Sequence, residues 1–112
     1  MTAKEMAELA DRQLEAYNAH DVERFIACYA EDVEIYLFPH TLTSKGHQAM
    51  RERYAPYFAK NPRLNGISAN RMICGKLLID HEIITGREDI ERKEALAIYE
   101  MSDGLIQRVW FG

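Results

Sequence analysis

His81 is the ionisable side chain in this sequence whose strand position best suits acid–base chemistry. From Lys76 to Thr85 the side chains alternate: Leu77, Ile79, His81 and Ile83 share one face of a strand, and Leu78, Asp80, Glu82 and Ile84 share the other. The first face reads as the dry one, where desolvation favours a neutral imidazole that can accept a proton. The competing reading is a hydrogen-bonded core histidine. Asp80 and Glu82 point the opposite way, so a group that orients His81 has to come from elsewhere, such as Tyr29, Tyr54 or Gln107. Gln107 shares its face with Leu105, Val109 and Phe111. It reads either as one polar contact in an apolar small-molecule lining or as a structural amide bonded to backbone. Ala95 and Ala97 on the preceding strand leave space there, which Tyr99 and Met101 are large enough to fill.

Tyr17, Tyr54, Tyr57 and Phe58 recur at helical spacing and read as pocket wall or as core. Trp110 lies with Ile106 and Arg108 on the face assigned outward, where a large aromatic beside an arginine suits an interface; a lone exposed tryptophan is the alternative. His20, His40, His47 and His81 lack paired ligand spacing, so no metal site is expected. The sequence has no glycine-rich phosphate loop, nucleophile elbow or paired-cysteine motif, and no cofactor is expected. Arg87 to Lys93 carries both signs of charge and reads as a solvated hairpin tip.

The elements that must position these residues follow from periodicity. Met6, Leu9, Ala10, Leu14 and Tyr17 define an amphipathic helix over about residues 4 to 18. Asp21 then caps a second helix striped by Val22, Phe25, Ile26 and Tyr29. From Asp32 the period becomes two, with Val33, Ile35 and Leu37 on one face. A return strand at Thr41 to Ser44 precedes a third helix striped by Met50, Tyr54, Tyr57 and Phe58, in which Pro56 predicts a kink or an early end. A weak strand over 65 to 74, the strand 76 to 85, and strands 94 to 101 and 105 to 111 complete a meander, with Asp103-Gly104 as its tightest turn.

A chain of 112 residues with 47% hydrophobic and 29% charged content has the balance of one folded domain, and no linker or repeat divides it. A net charge of −4 gives no electrostatic reason to approach nucleic acid or an anionic membrane. Cys28 and Cys74 read as free thiols in a reducing compartment. With a charged, helical start and no run of membrane-spanning length, a cytoplasmic location is expected.

The segment Ala16-Tyr-Asn-Ala-His-Asp-Val-Glu-Arg-Phe-Ile-Ala-Cys-Tyr-Ala-Glu-Asp-Val-Glu-Ile35 resembles the opening of the nuclear transport factor 2-like superfamily, which includes steroid delta-isomerases and SnoaL-like polyketide cyclases. Gly46 to Tyr54 resembles its third helix, and Ala97 to Phe111 its final hairpin. The resemblance implies an α+β fold, a cone-shaped curved antiparallel sheet wrapped by three N-terminal helices. It also implies a pocket between them and homodimers packed through the sheet's outer face. The catalytic residues of ketosteroid isomerases do not carry over: their helix-1 tyrosine falls on Gln13, their aspartate base on Leu37 and their protonated aspartate on Ala97. Tyr29 and Tyr54 match two supporting tyrosines. The resulting expectation is binding of a small apolar carbonyl compound by Gln13, Tyr54 and Gln107 with His81 as base, or else a non-catalytic dimerisation or interaction module.

Overall fold

The computed structural model describes residues 1–112. Helix α1 spans Ala3–Asn18, opened by a capping box in which Thr2 Oγ1 accepts from the Glu5 amide at 3.1 Å and Glu5 Oε1 accepts from the Thr2 amide at 2.7 Å. It buries Met6, Leu9, Ala10, Gln13, Ala16 and Tyr17. The stripe read from the sequence is therefore the core face, with Gln13 and Ala16 added to it and Leu14 only partly buried. Helix α2 is short, Val22–Ile26, and Asp21 caps it by accepting from the Arg24 amide at 3.2 Å.

Strand β1 runs Tyr29–Leu37, so Tyr29 opens a strand rather than closing α2. β2 is Thr41–Lys45, and α3 is Gly46–Lys60. Of the kink or early end expected at Pro56, the early end does not occur: the helix continues for four residues past it. Pro56 is exposed, so only one backbone bond is lost, and the buried face of Met50, Tyr54 and Phe58 holds both halves in register.

β3 (Asn65–Cys74), β4 (Leu77–Thr85), β5 (Arg92–Ser102) and β6 (Leu105–Phe111) join β1 and β2 in a six-stranded sheet of order β2-β1-β6-β5-β4-β3. The β1–β6 pair is parallel; the others are antiparallel. Asp103 and Gly104, at φ 55° and 77°, make the β5–β6 turn that Asp-Gly favours. The helices close one side of the sheet over a core that includes Phe25, Val33, Ile35, Leu78, Tyr99 and Val109.

Two strand faces differ from the sequence reading. On β4 the inward residues are Leu78, Asp80, Glu82 and Ile84, all buried, while Leu77, Ile79, His81 and Ile83 face outward. Alternation defines two faces but not which one is inside, and here the two carboxylates have partners within the fold. On β6 a bulge sets Met101 opposite Ile106 and Glu100 opposite Arg108, leaving Gln107 as the extra residue. The bulge turns Ile106 into the core at 0% exposure, so it is not an outer-face residue; Arg108 and Trp110 remain outside.

Candidate functional site

The concave side of the sheet, α1 and α3 enclose a cavity of about 640 Å³. Its helical wall comes from Gln13, Leu14 and Tyr17 of α1 and Arg53, Tyr54 and Tyr57 of α3; its sheet wall includes Tyr29, Glu82, Ile84, Ala95, Tyr99 and Phe111. The lining is mostly hydrophobic with a few convergent polar groups, the usual make-up of a small-molecule site.

Four of those polar groups form two pairs. Gln13 Nε2 donates to Tyr29 Oη at 3.1 Å, and Tyr99 Oη donates to Glu82 Oε2 at 3.1 Å. Tyr17 and Tyr57 share a hydroxyl–hydroxyl bond of 2.9 Å towards one end. Glu82 Oε1 and Tyr54 Oη have no partner in the protein, and neither is sealed from solvent, so both open onto the cavity. One is a proton acceptor and the other an O–H donor.

Burial pushes the Glu82 carboxyl up to about 7, with the charge of Asp80 adding to the rise and the Tyr99 hydrogen bond and Arg71 opposing it. Burial likewise raises Tyr54 to about 12, with the charge of Glu82 contributing. Tyr29 and Tyr99 lie well above the ordinary phenol value, again through burial first. At neutral pH the cavity therefore holds one carboxyl poised between its two forms and phenols that stay protonated, able to donate.

Gln13, Tyr17, Tyr29, Tyr54 and Tyr57 are brought together as cavity lining. Three other sequence candidates are placed elsewhere. His81 lies on the outer face, where Asn70 Nδ2 is 3.1 Å from its Nδ1 and Glu94 Oε1 is 2.7 Å from its Nε2. Gln107, displaced by its bulge, donates to the Ser102 carbonyl at 2.9 Å. Phe58 is core, packed edge-on against Tyr17 at a ring separation of 5.5 Å. Arg108 is held outside by Glu34 at 3.0 Å and Glu100 at 2.9 Å, and Trp110 stacks on Tyr36 at 5.6 Å.

Glu82 and Tyr99 are the site residues the sequence reading passed over. The available signal was the small Ala95 and Ala97 on the concave face of β5: their antiparallel partners are Glu82 and Asp80. Of the positions where the ketosteroid-isomerase acids would stand, Leu37 lies at the cavity's edge, 55% exposed, and Ala97 is buried. The carboxyl in this cavity comes from β4 instead.

A curved, unclosed sheet clasped by three helices around a polar-bottomed cavity is the nuclear transport factor 2-like, or cystatin-like, architecture. The family model for the SnoaL-like domain matches residues 10–109, and the chain belongs to that family. Among solved structures, an uncharacterised cystatin-fold protein from Novosphingobium aromaticivorans superposes with a TM-score of 0.85 at 22% identity, covering 94% of this chain and 95% of that one. A proposed polyketide cyclase from Sinorhizobium meliloti gives 0.80 at 12% identity, covering 94% of each chain. A proposed SnoaL-like polyketide cyclase from Jannaschia gives 0.79 at 12%, covering 97% and 85%. At these identities the likeness is one of fold. A search of curated proteins finds no match. No helix of the chain is long and apolar enough to cross a membrane.

Proposed function

We propose that this SnoaL-like domain binds a small, largely apolar carbonyl compound in the cavity and moves a proton on it, as an isomerase, cyclase or lyase does. The observation that carries this reading is Glu82: a carboxyl raised to about 7 by burial, with Oε1 facing the same apolar cavity as the free hydroxyl of Tyr54. Glu82 Oε1 takes the proton from the carbon next to the carbonyl, and the C–H electron pair moves onto the carbonyl oxygen. The Tyr54 hydroxyl donates to the enolate oxygen so formed. Glu82 then returns the proton to the same carbon or to one in conjugation with it, which leaves the enzyme unchanged. The polyketide-cyclase descriptions of the Sinorhizobium and Jannaschia neighbours fit such chemistry.

The test is exchange of deuterium from D₂O into 2-tetralone, an apolar ketone with an acidic methylene. The protein is expected to accelerate exchange, with a rate that rises through about pH 7 as the Glu82 carboxylate forms and then levels. A rate equal to buffer, or one flat between about pH 5 and pH 9, would remove Glu82 as the base.

The same reading includes a homodimer through the sheet's outer face. Ile67, Met72, Leu77 and Leu96 are exposed there, at 49%, 66%, 37% and 42%, and Trp110 lies on the same side. Apolar surface of this kind marks association sites. Sedimentation at tens of micromolar is expected to give twice the 13.0 kDa chain mass; a single monomeric species would count against this interface. The two free thiols, Cys28 buried and Cys74 exposed, fit the reducing environment of a cytoplasmic location.

A further inference from the structure

We infer that the cavity's ligand is an amphipathic anion: an apolar body that carries the reactive carbonyl, with a carboxylate or similar group directed to the mouth. This rests on the reading of the cavity as a ligand site and adds the class of ligand.

Lys93 is the central observation. In the β4–β5 register Lys93 pairs with Ile84, and the next inward pair is Ala95 with Glu82. Lys93 therefore occupies a concave-face position, in line with Ala95, Ala97 and Tyr99, where the face passes from core to solvent. It lines the cavity and makes no ion pair with any carboxylate of the chain. Arg53 lines the opposite, helical wall and is likewise without a carboxylate partner; its guanidinium sits over the Tyr54 ring at 5.6 Å. Arg87 supplies a third lining cation, steadied by Asp89 at 2.8 and 2.6 Å. Glu94 also lines the cavity at this end, but its carboxylate is taken up by His81 at 2.7 Å and Arg92 at 3.4 Å.

With Arg87 paired to Asp89 and Glu94 paired to His81 and Arg92, Lys93 and Arg53 are the uncompensated charges, and they leave the mouth positive on a chain whose net charge is −4. Low-dielectric aromatic walls focus such a field into the cavity and favour an entering anion. Spacing fixes the rest of the ligand's outline. Lys93 and Ala95 are two residues apart along the strand, so the cationic position lies about 7 Å along the sheet from the level of Glu82. Ala95 contributes no bulk between the two levels. A ligand whose anionic group and acidic carbon are that far apart reaches both, and its charge stays clear of the Glu82 carboxyl.

Two fluorescent dyes with one aromatic framework test this: 1-anilinonaphthalene-8-sulfonate, an anion, and N-phenyl-1-naphthylamine, which is neutral. Each is titrated into the wild-type chain and the Arg53→Gln/Lys93→Gln double variant at about 20 mM and about 200 mM salt. At low salt the sulfonate is expected to bind about fivefold or more tighter than the neutral dye. Most of that advantage is expected to disappear in the double variant and at high salt, while neutral-dye affinity stays unchanged. Equal affinity of the wild type for the two dyes, or an advantage that survives the double substitution, overturns the anionic-ligand inference and leaves the cavity reading standing. Failure of both dyes to bind the wild type overturns the cavity reading and this inference with it.

Discussion

Glu82→Gln is expected to move activity and stability in opposite directions. Glutamine keeps an oxygen to accept from Tyr99, so the side chain stays seated, but it cannot take a proton from the ligand. Carbonyl-adjacent exchange should fall by about 10² to 10⁴, the usual share of a positioned general base. Stability should rise, and only where Glu82 is ionised. Its folded-state value is raised from 4.5 to about 7. Below about 4.5 the folded and unfolded chains both hold the proton, and the group costs nothing. Between the two values the folded chain holds a proton that the unfolded chain releases, so stability declines as pH rises. Above 7 the full penalty of roughly 3 kcal/mol is present. Urea unfolding of the two proteins should therefore nearly coincide around pH 4 and separate by roughly that amount around pH 8, with the variant more stable. A variant that exchanges like the wild type, or whose advantage shrinks as pH rises, would contradict the assignment.

Much of this architecture is legible in the sequence, because helix α1, the Asp21 cap and the Asp103-Gly104 turn rest on local rules: a 3.6-residue stripe, a side-chain acceptor before free amides, and a positive-φ pair. The site is less so, for reasons that particular residues make plain. On β4 both faces carry isoleucine and leucine, and the rule that charge faces solvent selects the side of His81 as the interior. That rule fails because Ser68, Arg71 and Tyr99, from other strands, supply the hydrogen bonds that Asp80 and Glu82 lose on leaving water. Knowing it in advance requires the β4–β5 register, which depends on the length and path of the loop between them. β6 fails for a different reason: the bulge at Gln107 reverses the alternation midway, and no residue type marks it. The helical part of the site is more accessible: Tyr17, Tyr54 and Tyr57 follow from helix phase once the apolar stripe is drawn, whereas Gln13 comes from the family resemblance alone. Their function as wall rather than filled core depends on the small Ala95 opposite, and so on the sheet again.

Arg71→Leu is expected to be the most damaging single substitution outside the cavity. Asp80 is 2% exposed and is held by three donors: Arg71 Nε at 2.7 Å, Arg71 Nη2 at 3.1 Å and Ser68 Oγ at 2.9 Å. The third Arg71 nitrogen, Nη1, reaches Asp11 at 2.8 Å, so one guanidinium joins β3, β4 and α1. Leucine leaves the Asp80 carboxylate buried with one donor of the three, and a broken buried pair costs about 3 to 5 kcal/mol. Most of that cost comes from the stranded charge rather than from the bond itself. The double variant Arg71→Leu/Asp80→Leu, which removes both charges and refills the space with apolar atoms, should therefore recover much of the loss in urea unfolding. If the double variant is as unstable as the single one, the pair is holding geometry that apolar packing cannot reproduce. The same substitution reaches the site through charge: Asp80 raises Glu82 and Arg71 lowers it, so removing Arg71 shifts the midpoint of the exchange profile to higher pH. Asp80→Asn with Arg71 retained shifts it lower. Opposite shifts from the two variants would show that this ion pair, placed behind the cavity on the inward face of β4, sets the pH at which Glu82 works. Shifts of one sign would trace the change to loosened packing instead.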